Sequence, residues 1–122
     1  MKVPILKQGN YLIASVQSSL NDNELLQLRN DLVERISTVR AKGVIIDVTV
    51  LDVMDSFATR ILQDIAQMIR LRGAPTVLVG IQPDVAFAMV QLGLNLGALK
   101  TALDLEEGLA LLDKDIKEKE VN

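Results

Sequence analysis

VIIDVTVLDVMDSFATRIL, residues 44–62, is the stretch on which the reading of the chain turns. Val44-Ile45-Ile46-Asp47-Val48 is β-branched, of strand length and apolar on both alternating faces. A strand with one wet face would alternate polar and apolar, so this run predicts a central strand covered by helices on both sides. After a connection from Thr49 to Asp55, apolar residues recur at Phe57, Ile61, Ile65, Met68 and Ile69, with Gln63, Asp64 and Gln67 between them. That helical spacing predicts an amphipathic helix stopped near Gly73. The stretch therefore reads strand, loop, helix, with Asp55 and Ser56 at the start of the helix.

The same grammar extends in both directions. Downstream, Thr76-Val77-Leu78-Val79 repeats the buried-strand pattern, and Pro83 stands where a first helical turn accepts proline, ahead of Val85, Ala86, Met89 and Val90. This third helix should end near Gly93. Asp104 followed by Glu107 is a capping arrangement, and Leu105, Leu109, Leu112 and Ile116 then step through a last helix. Its end, KEKEVN, is expected to fray. Upstream, ILK and YLIASV flank Gln8-Gly9-Asn10, which predicts an antiparallel hairpin. Leu25, Leu28, Leu32, Ile36 and Val39 give a first helix, capped by Asn21 with Glu24 three residues on, and with Gly43 to supply the left-handed residue at its end. Strands alternating with helices require crossover connections. The predicted fold is α/β, a mostly parallel mixed sheet entered by an N-terminal hairpin, with about four helices, in one domain over residues 1–122.

Composition narrows the function. The chain has 122 residues, enough for one core, with 49% hydrophobic and 24% charged residues, far from the signature of disorder. The net charge is -3 and the 13 Lys and Arg residues are scattered, so there is no basic stripe for a phosphate backbone and no nucleic-acid partner is expected. The longest uncharged stretch, Val85 to Leu99, is broken by Gln91, Gly93, Asn95 and Gly97 and falls short of a membrane span. No signal peptide is visible, so a cytoplasmic location is expected. With no Cys and no His there is no thiolate, no Ser-His pair and no nitrogen or sulfur ligand for zinc. The expectation is a protein without catalytic residues, metal or cofactor.

In an open α/β sheet, ligands and partners gather at the carboxyl ends of the strands. Two connections lie there, Asp47 to Ser56 and Gly80 to Asp84. The first delivers Ser56 to a helix start, where free N–H groups and the helix dipole tolerate negative charge. A phosphate there would add about -1.5 to -2 charges beside Asp47, Asp52 and Asp55, which suits a reversible binding switch. The plainer alternative is that Asp55 or Ser56 only caps the helix. The aspartates also admit a magnesium-dependent, receiver-like reading, and the helix start a nucleotide-binding one. The first lacks an acidic pair near the first strand, where only Lys7 stands, and the second lacks a phosphate-cradling glycine loop. Met54, Gln82, Pro83 and Asp84 join Asp55 as candidate partner-binding residues around Ser56. Met54, Leu94, Leu96 and Leu99 are candidates for an apolar patch driving self-association, at least to a dimer.

IDVTVLDVMDSFATRIL resembles the signature of STAS domains, in which a buried strand is followed by an aspartate, a hydroxyl residue and a helix. GAPTVLVGIQPDVAFAMVQLG and TALDLEEGL are similar to the stressosome group of that family, the RsbS-type and RsbR-type proteins. The likeness runs from VPILK to the last helix, and the lack of a preceding sensory domain leans toward the RsbS type. What it implies is a STAS fold and a non-catalytic scaffold that sequesters an RsbT-type serine kinase in a large complex with RsbR-type STAS proteins. Phosphorylation at the serine matching Ser56 would release the kinase in a stress response, and an RsbX-type phosphatase would reset it. By the same match Asp55 helps define the acceptor loop, and no role passes to Asp52 or Thr59.

Overall fold

A computed structural model describes residues 2–97 and 99–121 of the chain. The elements run β1 (Ile5–Gln8), β2 (Tyr11–Ser15), α1 (Asp22–Thr38), β3 (Gly43–Asp47), α2 (Ser56–Leu71), β4 (Thr76–Val79), α3 (Pro83–Gln91), β5 (Lys100–Ala102) and α4 (Leu105–Val121). The five strands lie in sequence order, β1 antiparallel to β2 and each later neighbour parallel. β3 is thus central, as its uninterrupted apolar run requires.

The pleat sends alternate residues of β3 into two cores. Ile46, with Val44, Leu12, Ala14 and Leu78, packs beneath α1, α2 and α3 through Leu28, Leu32, Ile65, Ile69 and Met89. Ile45, with Ile13, Val77 and Val79, packs against Leu112 of α4. Both isoleucines are fully buried, so truncating either to alanine is expected to cost about 2–5 kcal/mol.

Local signals explain most boundaries. Asn21 accepts from the Glu24 amide at 2.8 Å while the Glu24 carboxylate accepts from the Asn21 amide at 3.0 Å, which is a capping box. Pro83 opens α3, and the Asp104 carboxylate accepts from the Glu107 amide at 2.9 Å ahead of α4. The expected end of α1 is corrected. α1 ends with Arg40, not Gly43, in the left-handed region (φ 51°). Gly43 instead opens β3 under α4, where an added Cβ would stand 2.9 Å from Leu112 Cδ2, so it is a close-approach glycine. α4 continues through most of the KEKEVN segment to Val121, with Asp115 paired to both Lys119 and Lys100 at 3.3 Å, and Asn122 lies outside the described residues. β5 was not anticipated: three residues with mostly exposed side chains carry no readable alternation.

Candidate functional site

β3 and β4 are parallel neighbours, so the connections leaving their carboxyl ends meet. The β3–α2 loop is folded back by Asp47, whose carboxylate accepts from the Thr49 amide at 2.9 Å and from Thr49 Oγ1 at 2.5 Å. Gln82, the last residue before α3, donates from Nε2 to the Thr49 carbonyl at 2.7 Å and ties the two loops together. Gly80 makes that approach feasible. It has φ 81°, a left-handed conformation free of cost only for glycine, and a Cβ there would come within 3.0 Å of the Thr49 main chain. Within the β3–α2 loop, Val48 and Met54 turn inward while Val50 and Val53 stay exposed.

This scaffold presents α2 by its N-terminus. Asp55 has extended backbone angles and its carboxylate accepts from the Ala58 amide at 2.8 Å, so Asp55 is the cap. Ser56 is the first helical residue. It is exposed, and its hydroxyl takes no hydrogen bond among the described residues. Thr59, the next hydroxyl along, is only 2% exposed and donates to the Asp55 carbonyl at 3.0 Å. Of the two, Ser56 alone offers a free, solvent-facing nucleophile position.

The aspartates do not converge. Asp47 is spent on Thr49 and Asp55 on the cap, and among the described residues no group of three His, Cys, Asp or Glu side chains could hold a metal. Lys100, the lysine a receiver-like site would need, is paired with Asp115 beside α4. These placements count against the magnesium-dependent reading on geometry. Among the described residues no helix is long and apolar enough to cross a membrane.

The remaining predicted site residues fall into two groups. Asp55, Gln82, Pro83 and Asp84 surround the joined loops, with Pro83 and Asp84 exposed and Gln82 half-buried. Met54 is corrected: at 6% exposure it belongs to the core beneath α2, and Val53 (67% exposed) holds the surface position beside it. The apolar patch is also relocated. Leu99 is buried and Leu94 and Leu96 are half-buried, whereas Phe87 (65%) and Val90 (78%) stand out from α3. Pro83, Ala86, Phe87 and Val90 follow an i, i+3, i+4, i+7 spacing, so the outer face of α3 is an apolar stripe. The sequence named Val85, Ala86, Met89 and Val90 together in this helix; the structure buries Val85 and Met89 and exposes Ala86 and Val90.

Between the start of α2 and the end of α3 lies a groove of about 550 Å³, lined by Ser56, Phe57, Thr59, Arg60, Gln63, Gly93, Leu94 and Asn95. Its floor is held by Gln63, whose side chain donates to the Asn95 carbonyl. Arg60 was missed in the sequence because it is one of several exposed residues of an amphipathic helix, and nothing in its spacing sets it apart from Arg70.

Comparisons with known proteins agree with this fold. The model of the family described as STAS domain matches residues 2–108. A solved Moorella thermoacetica RsbS, a serine-to-glutamate variant, is 37% identical with a TM-score of 0.82, over 96% of this chain and 99% of that one. A chain from a structure of the molecular architecture of the stressosome, described as a signal integration and transduction hub, is 37% identical with a TM-score of 0.73, over 91% of this chain and 96% of that one. The RsbT co-antagonist protein RsbRA of Bacillus subtilis is 24% identical over 107 residues, 88% of this chain, which spans only 38% of that relative's length.

Proposed function

The chain belongs to the STAS domain family, and from that premise we propose that it is a non-catalytic stressosome scaffold whose Ser56 is a phosphorylatable switch. In this reading the 122 residues form one STAS domain that co-assembles with copies of itself and with RsbR-type STAS proteins. The assembly sequesters an RsbT-type serine kinase, and transfer of the γ-phosphoryl of ATP to Ser56 Oγ, with loss of the hydroxyl proton, releases it. An RsbX-type phosphatase reverses the modification. The similarity to RsbS and to the stressosome chain supports the scaffold, and the likeness to RsbRA supports an RsbR-type partner.

The observation that carries the reading is the division of labour at the start of α2. Asp55 caps the helix, Thr59 is buried and bonded, and Ser56 is left exposed with a free hydroxyl. Among the described residues the Ser56 hydroxyl has no hydrogen-bonded partner to act as its base, and the chain has no His. The phosphoryl chemistry therefore belongs to the partner kinase. In this reading the exposed Val53, three residues before Ser56, and the exposed apolar stripe of α3 supply contact surface for partners. A dianionic phosphate among partner carboxylates adds repulsion of roughly 1–3 kcal/mol per close charge, and about 1.4 kcal/mol is tenfold in affinity.

The test has two parts. Incubation with the serine kinase and ATP, followed by mass spectrometry, should place the phosphate on Ser56 and leave Ser56→Ala unmodified. Surface plasmon resonance of the kinase on assembled core should rank affinity as unmodified, then Ser56→Asp, then phosphoserine. Modification at Thr59, or equal affinity for the three forms, would overturn the assignment.

A further inference from the structure

The groove beside Ser56 has a single charged lining residue, Arg60, and no carboxylate. Arg60 is exposed and, among the described residues, makes neither an ion pair nor a hydrogen bond. It lies four residues after Ser56 on the same helix, which places the two on one face. Helical side chains lean toward the N-terminus, so the long side chain of Arg60 is able to reach the turn from which Ser56 projects. The order, an anion one turn before a cation, is also the favourable one for such pairs.

We propose that Arg60 is the phosphate-holding residue of this switch: on phosphorylation of Ser56 its guanidinium folds over the groove and pairs with the phosphate. A guanidinium fork matches two phosphate oxygens at once, which a lysine cannot do. The competing carboxylates are placed elsewhere. Asp55 is engaged with the Ala58 amide, and Asp64, one turn beyond Arg60, is not paired with it. Before modification Arg60 is available to a partner carboxylate. After modification it is held within the chain, so the phosphate both adds negative charge and withdraws the cation of the groove. The proposal rests on Ser56 being the acceptor, and it predicts that the released form is an ordered phosphate–arginine pair.

The test installs phosphoserine at position 56 by genetic encoding, which needs no kinase, and follows its phosphorus-31 resonance through a pH titration. A phosphoserine in water has its second pKa near 6. With Arg60 paired to the phosphate, that pKa should lie about half a unit or more below its value in Arg60→Gln, and the gap should narrow in high salt. Arg60→Lys should recover part of the shift, and Arg70→Gln, at the other end of α2, should leave it unchanged. Equal titrations of the parent and Arg60→Gln, or an equal shift from Arg70→Gln, would overturn the pairing. A kinase that never modifies Ser56 would defeat the proposed acceptor while leaving this titration to be read by itself.

Discussion

Replacing Asp55 and Ser56 one at a time separates two jobs that adjacent residues at a helix start usually blur. Asp55 accepts the Ala58 amide at 2.8 Å and is the capping carboxylate of α2, whose first turn holds no acidic residue. Asp55→Ala removes the cap oxygen, a loss of about 1 kcal/mol within a range of roughly 0.5–2. It also removes the charge beside the helix dipole, a further ~0.3–1 kcal/mol. Asp55→Asn keeps an acceptor and should lose only the second part. Ser56 makes no hydrogen bond and faces solvent, so Ser56→Ala should stay within about 0.5 kcal/mol of the parent. For a chain of this length 1 kcal/mol corresponds to about 4 °C in the melting midpoint. Urea and thermal unfolding of the four proteins should therefore rank the parent and Ser56→Ala together at the top, then Asp55→Asn, then Asp55→Ala. If Ser56→Ala lost as much stability as Asp55→Ala, Ser56 would be a structural hydroxyl, and the argument that it is spare for modification would fail.

Gly80→Ala should destabilise by more than about 2 kcal/mol in the same unfolding assay, since it combines a positive φ with contact against the Thr49 main chain. Phe87→Glu, on the exposed stripe of α3, should leave the unfolding midpoint within about 0.5 kcal/mol of the parent yet lower the sedimentation coefficient of the assembly; an unchanged coefficient would remove the stripe from the interface. The single tyrosine, in a chain without tryptophan, gives a clean ultraviolet titration. Burial, and then the hydrogen bond Tyr11 donates to Asp113 with the nearby charges of Asp113 and Asp115, push its phenol up to about 12. Because the folded value lies above the ordinary 10, the stabilisation is complete below pH 10 and is lost as pH rises from about 10 to 12. Asp113→Asn should lower the tyrosine midpoint without returning it to 10, burial being untouched.

The parts of the fold that were legible beforehand are those written in short-range spacing. Asn21 with Glu24, Asp104 with Glu107, and Pro83 ahead of α3 each specify a helix start within four residues, and each bond or position is present. β5 was not legible because three edge residues contain too little pattern. The roles of Arg40 and Gly43 were exchanged for a related reason: a glycine looks alike whether it supplies a positive φ or admits a neighbour. Only the position of Leu112, nearly seventy residues away, distinguishes the two.

The candidate site shows the same limit in a sharper form. Asp55 and Ser56 are interchangeable as caps when judged by residue type, and the choice between them is made by the loop that precedes them. Val48 and Met54 are buried, which anchors the β3–α2 connection at both ends. The Asp47–Thr49 bonds and the Gln82 donor fix its course between. With that path set, Asp55 arrives with extended backbone angles and takes the cap, and Ser56 enters the helix with its hydroxyl unspent. The Gln82 bond depends on β3 and β4 being neighbours, a fact of sheet order that no local window contains. A perturbation of that crossing, Gln82→Ala, would act on Ser56 only through the shape of the loop. The exposure of the Ser56 hydroxyl is therefore a tertiary property of the sheet, although every residue that creates it is visible in the chain.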